Sequence, residues 1–168
     1  MGLLTTDPKK GRTQTPKEVQ HIPDNLLQST FITSDLHLSH TNIIGYTNRP
    51  FESTEEMNSI LIENWNKAVQ PEDDIFFLGD LRYGRNSGSP LEWLDQLNGS
   101  ITFIRGSHDH DLSGLWKYYW IGIRGVEILL IHNPYHARLL KWEGWTIHGH
   151  VHNNRPLFSP AGYPKKVN

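Results

Sequence analysis

Residues 101–109 read ITFIRGSHD. Ile101, Thr102, Phe103 and Ile104 are β-branched or aromatic, and the run stops at Gly106. Such a run reads as a short buried strand, with ITFIRG as its extent. Its tip is crowded with groups that hydrogen-bond, titrate or ligate. Two stretches upstream share the pattern. Residues 29–35, STFITSD, and residues 73–80, DDIFFLGD, are compact apolar runs that each end on an Asp.

Helix signals separate these runs. In STEEMNSILIENWNKAV, residues 53–69, Ser53 with Glu56 three positions on is a capping box. Met57, Ile60, Leu61, Trp65 and Ala68 then mark one helical face. PLEWLDQL, residues 90–97, starts a short helix at Pro90. The order is therefore βαβαβ, which implies parallel strands joined by helical crossovers. Downstream, YYWIGI (118–123) and VEILLIH (126–132) flank Arg124-Gly125 and read as a hairpin. WTIHGHVH (145–152) is a last strand running into histidines. Residues 1–29, polar and punctuated by Pro8, Pro16 and Pro23, read as a flexible N-terminal arm. Residues 30–168 read as one domain.

The chain has 168 residues, 36% hydrophobic content, a net charge of −2 and no cysteine. That length suits one core. The absence of cysteine excludes disulfide scaffolds, thiolate zinc sites and Cys nucleophiles. The charge gives no large electrostatic footprint for nucleic acid, although a local basic groove stays open. No apolar run reaches the roughly 20 residues of a membrane span. The N-terminus lacks the apolar stretch of a signal peptide, so the chain reads as cytoplasmic. Ten histidines, mostly in tight clusters, are the unusual total.

The clusters fall at strand ends: Asp35 and His37 in SDLHLSH, Asp80 in FLGDLR, His132 in LLIHNP, and His150 with His152 in HGHVH. Open α/β sheets bind ligands beyond the carboxyl ends of their strands. Period-2 alternation sends the two side chains of Asp-x-His or His-x-His the same way. Singly, each element has a bland reading: a chance Asp-x-His, ordinary Gly-Asp turn chemistry, an exposed histidine pair. Together they make a mixed carboxylate–imidazole set suited to Mn, Fe, Zn, Co or Ni and not to a calcium cage. Asp80 has two oxygens and can bridge two cations.

The set resembles the calcineurin-like metallophosphoesterases, in particular their small single-domain prokaryotic and phage branch. The motifs are Asp35-Leu36-His37, Gly79-Asp80, Gly106-Ser107-His108-Asp109, His132, and Gly149-His150-Val151-His152, spanning most of the chain. DLHLSHTNII and NRPF resemble the same branch. The resemblance implies a four-layer α/β/β/α sandwich with mixed sheets. It implies two divalent ions, Mn foremost. Asp35, His37, Asp80 and His152 would bind one; Asp80, His132, His150 and residue 107 would bind the other. The implied activity is hydrolysis of a phosphodiester or phosphomonoester by a hydroxide bridging the ions, with His108 as general acid. Arg82, Arg105, Arg49 and His40 are candidate substrate contacts, and His148 a candidate for orienting a ligand. His21, His110 and His136 read as structural or solvated.

Three departures from the family pattern stand out. Ser107 replaces an Asn, and its hydroxyl is a shorter and poorer ligand than an amide carbonyl. Tyr83 replaces an acid that orients the catalytic histidine in larger members; Asp109 or Asp111 could substitute. The ending YPKKVN reads as a truncation at the start of a further edge strand, which would favour self-association. The alternatives to an active phosphoesterase are a catalytically weakened binding module on the same scaffold and a nuclease of the same family. Oligomeric state is open.

Overall fold

The computed structural model describes residues 15–16, 18–84 and 86–152. Along the chain the strands are β1 (Gln20–His21), β2 (Thr30–Thr33), β3 (Asp74–Phe77), β4 (Ser100–Phe103), β5 (Tyr119–Ile123), β6 (Val126–Ile131) and β7 (Trp145–His148). The α-helices are α1 (Thr41–Tyr46), α2 (Thr54–Ala68) and α3 (Pro90–Leu94), and two 3-10 helices are η1 (Asp24–Ser29) and η2 (Pro134–Leu140).

The three apolar runs form one parallel sheet in the order β2-β3-β4, with α2 and α3 in the two crossovers. This is the expected βαβαβ unit. Its central strand is buried on both faces, which is why DIFF carries no polar alternation. Ile75 and Phe77 point to one side and Phe76 to the other. On the first side they pack with Phe103, Trp65 and Val69, and Leu61, Ile62 and Trp93 close over them. On the second side, Phe76, Leu78 and Ile104 meet Tyr119, Ile121 and Leu130 of the other sheet. Each such fully buried side chain contributes roughly 1.5–3 kcal/mol.

The second sheet is mixed, in the order β1-β5-β6-β7. β5 and β6 are the expected hairpin, paired from Tyr119–Leu130 to Ile123–Val126. Arg124 and Gly125 turn it with φ of 48° and 77°, the double left-handed geometry that two-residue hairpins favour. Against its outer face lies η2, where Ala137 and Leu140 cover Leu129 and Ile131. Among the described residues a seven-residue 3-10 helix therefore stands where the resemblance implies an outer α-layer.

Several boundaries differ from the sequence reading. The arm expected through residue 29 is built into the fold from Gln20 onward. β1 pairs with β5, Ile22 is buried among Phe76 and Tyr119, and η1 leads directly into β2. Three proline interruptions read as an arm, but a two-residue strand needs only one partner edge. Residues 1–14 and the expected truncated end, 153–168, lie outside the described residues. On α2, Ala68 is exposed and Val69 is buried in its place. The Ser53 hydroxyl caps the Glu56 N–H, but the Glu56 carboxylate accepts from Glu52 rather than from Ser53. The complete capping box is on α3, between Ser89 and Glu92.

Candidate metal centre

The strands stop short of the residues they were expected to carry. β2 ends at Thr33 and β7 at His148, so Asp35, His37, His150 and His152 lie in the loops beyond. Nor is their backbone extended. Asp35 has φ 58°, His37 52°, Asp80 58°, His150 73° and His152 48°. Among the described residues, five of the nine non-glycine residues at positive φ are thus candidate ligands. The left-handed region is costly for such residues and persists where surrounding structure over-determines it. Strand alternation is therefore not what aims these side chains; left-handed turns set their directions, and His150 and His152 go to different groups. Cross-loop bonds hold the turns: Asp35 N–H donates to Gly79 O at 2.9 Å, His37 N–H to Asp80 O at 3.0 Å and Leu38 N–H to Leu81 O at 2.9 Å.

Three candidate ligand groups result among the described residues: Asp35, His37 and His152; Asp80, His132 and His150; and, between them, His37, Asp80 and His108, the ligand atoms of each group within 4.8 Å of one another. Asp80 joins them. Its Oδ2 lies 3.2 Å from His132 Nε2 and 3.7 Å from His37 Nε2. His37 Nε2 is also 3.6 Å from Asp35 Oδ1. Both ring nitrogens of His37, which is 2% exposed, and Nε2 of His132 have no hydrogen-bond partner among the described residues. A buried polar atom left this way costs about 1–3 kcal/mol. Lone pairs and carboxylate oxygens aimed at common points are what a divalent cation satisfies, so the donor set fits one.

Electrostatics agree. Burial pushes Asp35 up, but the nearby His37 imidazole and the Ser34 hydroxyl outweigh it and hold its carboxyl below the ordinary value. Asp80 is likewise held well below, burial being outweighed by His132 and the His108 N–H. His132 is raised: burial pulls it down, and Asp80 more than compensates. Burial lowers His150 and His152. The His132 Nδ1–H donates to the Leu78 carbonyl at 2.8 Å, which leaves its Nε2 lone pair for Asp80's side.

Glycines let the carboxylates sit against backbone. A Cβ on Gly149 would stand 2.2 Å from Asp35 Oδ2, and one on Gly106 would stand 2.2 Å from Asp80 Oδ1. Asp109 fastens the same turns. Its buried carboxylate accepts from the N–H groups of Asp80 (2.8 Å), Leu81 (3.1 Å) and Gly106 (2.7 Å). Burial nonetheless pushes its pKa up. Asp109 therefore clamps backbone and is not placed to orient His108, and Asp111 pairs with Arg82 instead. His108 is held by Asp80: its N–H donates to Oδ1 at 2.8 Å, and Nε2 is 3.9 Å from Oδ2. Tyr83 sets its ring edge against His108, with centroids 4.6 Å apart, and stacks on His40 at 4.3 Å. Burial, then His37 and His108, pull His40 down to about 4, so it stacks as a neutral ring at pH 7.

Ser107 reaches the second set, its Oγ 3.3 Å from His150 Nδ1. The arginines divide. Arg49 donates to the carbonyls of Asp35 (2.8 Å) and Leu36 (2.7 Å), which makes it a clamp on the first loop rather than a free cation. Arg82 is engaged by Asp111, Ser87 and Gly84 O. Arg105 stays at the site, lining a cavity of about 380 Å³ beside Ser107 and His132. His148 is buried, with Nδ1 2.9 Å from Gly149 O at the turn carrying His150. His110, His136, Lys117 and Asn133 also line the cavity. No motif marks them, and it is the packing of η2 against β6 and β7 that brings its residues to that wall. No helix among the described residues is long and apolar enough to cross a membrane.

No family model matches the chain. It is 43% identical over 141 residues to the uncharacterized protein MJ1445 of Methanocaldococcus jannaschii, covering 83% of this chain and 78% of that one. It is 26% identical over 164 residues to the gene 66 protein of Mycobacterium phage L5, covering 76% and 79%. Among solved structures, a protein of unknown function from Aquifex aeolicus, AQ665, is 26% identical with a TM-score of 0.58, covering 75% and 80%. The Vps29 chain of Chaetomium thermophilum superposes more loosely, with 12% identity and a TM-score of 0.47 over 83% and 70%.

Proposed function

The chain belongs to the family of the Methanocaldococcus jannaschii protein, and we propose that it is a metal-dependent phosphoesterase with a two-ion centre. The observation that carries this is the placement of Asp80 between two convergent ligand sets. Asp35, His37 and His152 would hold one ion, Asp80, His132 and His150 the other, with Asp80 shared. Manganese suits this mixed set, as do Fe, Zn, Ni and Co. Divalent cations held there supply positive charge for phosphoryl oxygens and acidify water.

The chain's own residues supply the rest. Hydrolysis replaces an ester P–O bond by one from water, and the leaving oxygen must gain a proton. His108 is partly exposed, pinned through its N–H to Asp80, and is the general acid. Tyr83, backed by His40, restricts its ring. Arg105, which has no carboxylate partner among the described residues, is the arginine that faces the phosphate, while Arg49 and Arg82 position loops.

The test is hydrolysis of bis-p-nitrophenyl phosphate by Mn²⁺-loaded protein, with metal per chain measured in parallel. His108→Ala should lower kcat about 10²–10⁴-fold with metal content unchanged. A loaded wild-type protein that hydrolyses neither this diester nor p-nitrophenyl phosphate would refute the reading. Metal bound without turnover would favour the binding module, which Ser107 as a weak ligand supports.

A further inference from the structure

The cavity beside the second ligand set has a chemistry of its own. At one end it shares Gly106, Ser107 and His132 with the centre; Arg105, Lys117, His110 and His136 add cationic or imidazole groups. Tyr118, Ile131, Leu139 and Leu140 form an apolar wall. No carboxylate lines it, and neither Arg105 nor Lys117 is paired with one among the described residues. Arg105 is instead steadied by His110, its Nη2 3.1 Å from Nδ1. Leu139, at 81% exposure, stands at the edge of this wall. A volume near 380 Å³ lies at the small end of the range for small-molecule sites. It is a compartment for a discrete molecule, unlike the extended basic groove that tracks a nucleic-acid strand.

We propose that this cavity holds the non-reacting part of the substrate, and that the substrate is a nucleotide-sized phosphoester carrying a second anionic group. The apolar wall takes the organic moiety. Arg105 and Lys117 take the second anion by charge-assisted hydrogen bonds. The inference rests on the phosphoesterase reading for its reaction, but not for its binding, because the cavity's cations belong to neither ligand set.

Adenosine 3′,5′-bisphosphate is the probe, titrated calorimetrically into chelator-treated full-length protein. Saturable binding is expected, with Kd at least about tenfold tighter than for adenosine, the scale of one charge-assisted hydrogen bond. Arg105→Ala and Lys117→Ala should each raise Kd about tenfold. A charge pair at the exposed Leu139 guards against misfolding: Leu139→Glu should weaken the bisphosphate and Leu139→Lys should tighten it. Equal affinity for adenosine and the bisphosphate, or insensitivity to all four variants, overturns the proposal. Turnover of bis-p-nitrophenyl phosphate by the Mn²⁺-loaded wild type is measured beside it. Turnover without bisphosphate binding removes the substrate class and leaves the phosphoesterase; binding without turnover keeps the anion site and removes the phosphoesterase.

Discussion

Gly106→Ala is the sharpest test of how the centre is built. The backbone of Gly106 lies outside the left-handed region, so alanine suits its conformation and only space decides the outcome. The added Cβ would lie 2.2 Å from Asp80 Oδ1, 2.3 Å from Asp80 N and 2.8 Å from Asp109 Oδ2, where ordinary contact begins at 3.4 Å. Asp80 would have to retreat by about 1 Å on the van der Waals scale. Overpacking of this kind costs about 1–3 kcal/mol. The retreat also pulls on the Gly106–Asp109 and His108–Asp80 bonds, of 2.7 and 2.8 Å. Losing one charge-assisted bond adds about 1.5–3 kcal/mol, for a total of about 2.5–6 kcal/mol. Urea denaturation of the metal-free protein should show this as a lower midpoint. Elemental analysis should show less than the wild-type metal content, and a 1 Å misplacement should cut turnover about 10²-fold. Gly125→Ala is the control, since Gly125 faces open space at φ 77° in the hairpin turn. It should cost about 1–2 kcal/mol, the penalty of a left-handed conformation once a Cβ is present, and leave metal content unchanged. A Gly106→Ala protein with wild-type midpoint and metal content would refute the packed-turn account.

Three further outcomes are expected. Ser107→Asn should raise metal occupancy per chain or turnover, because an amide carbonyl beside His150 ligates better than a hydroxyl; no gain in either would show that the second set is complete without residue 107. Arg49→Lys should lower stability by about 1–2 kcal/mol, one lost carbonyl bond, read as a urea midpoint; a raised KM at unchanged stability would make Arg49 a substrate contact instead. In metal-free protein Asp35 and Asp80 have folded pKa values below the ordinary Asp value of 3.8. Their contribution to stability is full above that value and is lost as pH falls through the folded values. His132 is shifted the other way: its contribution is full below about 6.5 and is lost as pH rises through its raised value. Stability should therefore fall on both sides, and a midpoint flat from pH 3 to pH 8 would contradict the Asp80–His132 pairing.

The parallel unit was legible because its physics is local. A strand buried on both faces has to be a short apolar run, and a helix that crosses over it has to show a 3.6-residue face. STFITSD, DDIFFLGD and ITFIRG carry the first signal, and Met57, Leu61 and Trp65 carry the second. The candidate ligands stood out for a related reason: Asp and His at the ends of apolar runs have no packing use. β1 and η2 were not legible. A two-residue strand and a 3-10 turn exist because a neighbouring edge or face accepts them, and nothing in their own residues demands it.

By itself the sequence pointed to the candidate residues and to the apolar runs they follow. Only the tertiary structure decided how they meet. Left-handed turns, packed glycine against glycine between Gly79 and Gly106, aim Asp35, His37 and His150 where strand alternation would not. Asp109, one of the polar residues crowding the tip of ITFIRGSHD, became a clamp on three backbone N–H groups. Arg49 and Arg82 were drawn off into loop contacts, while Arg105 was left facing the cavity with Lys117. The reason is that residue type depends on what each position must do chemically, whereas direction and partnership depend on close approaches between segments far apart in the chain.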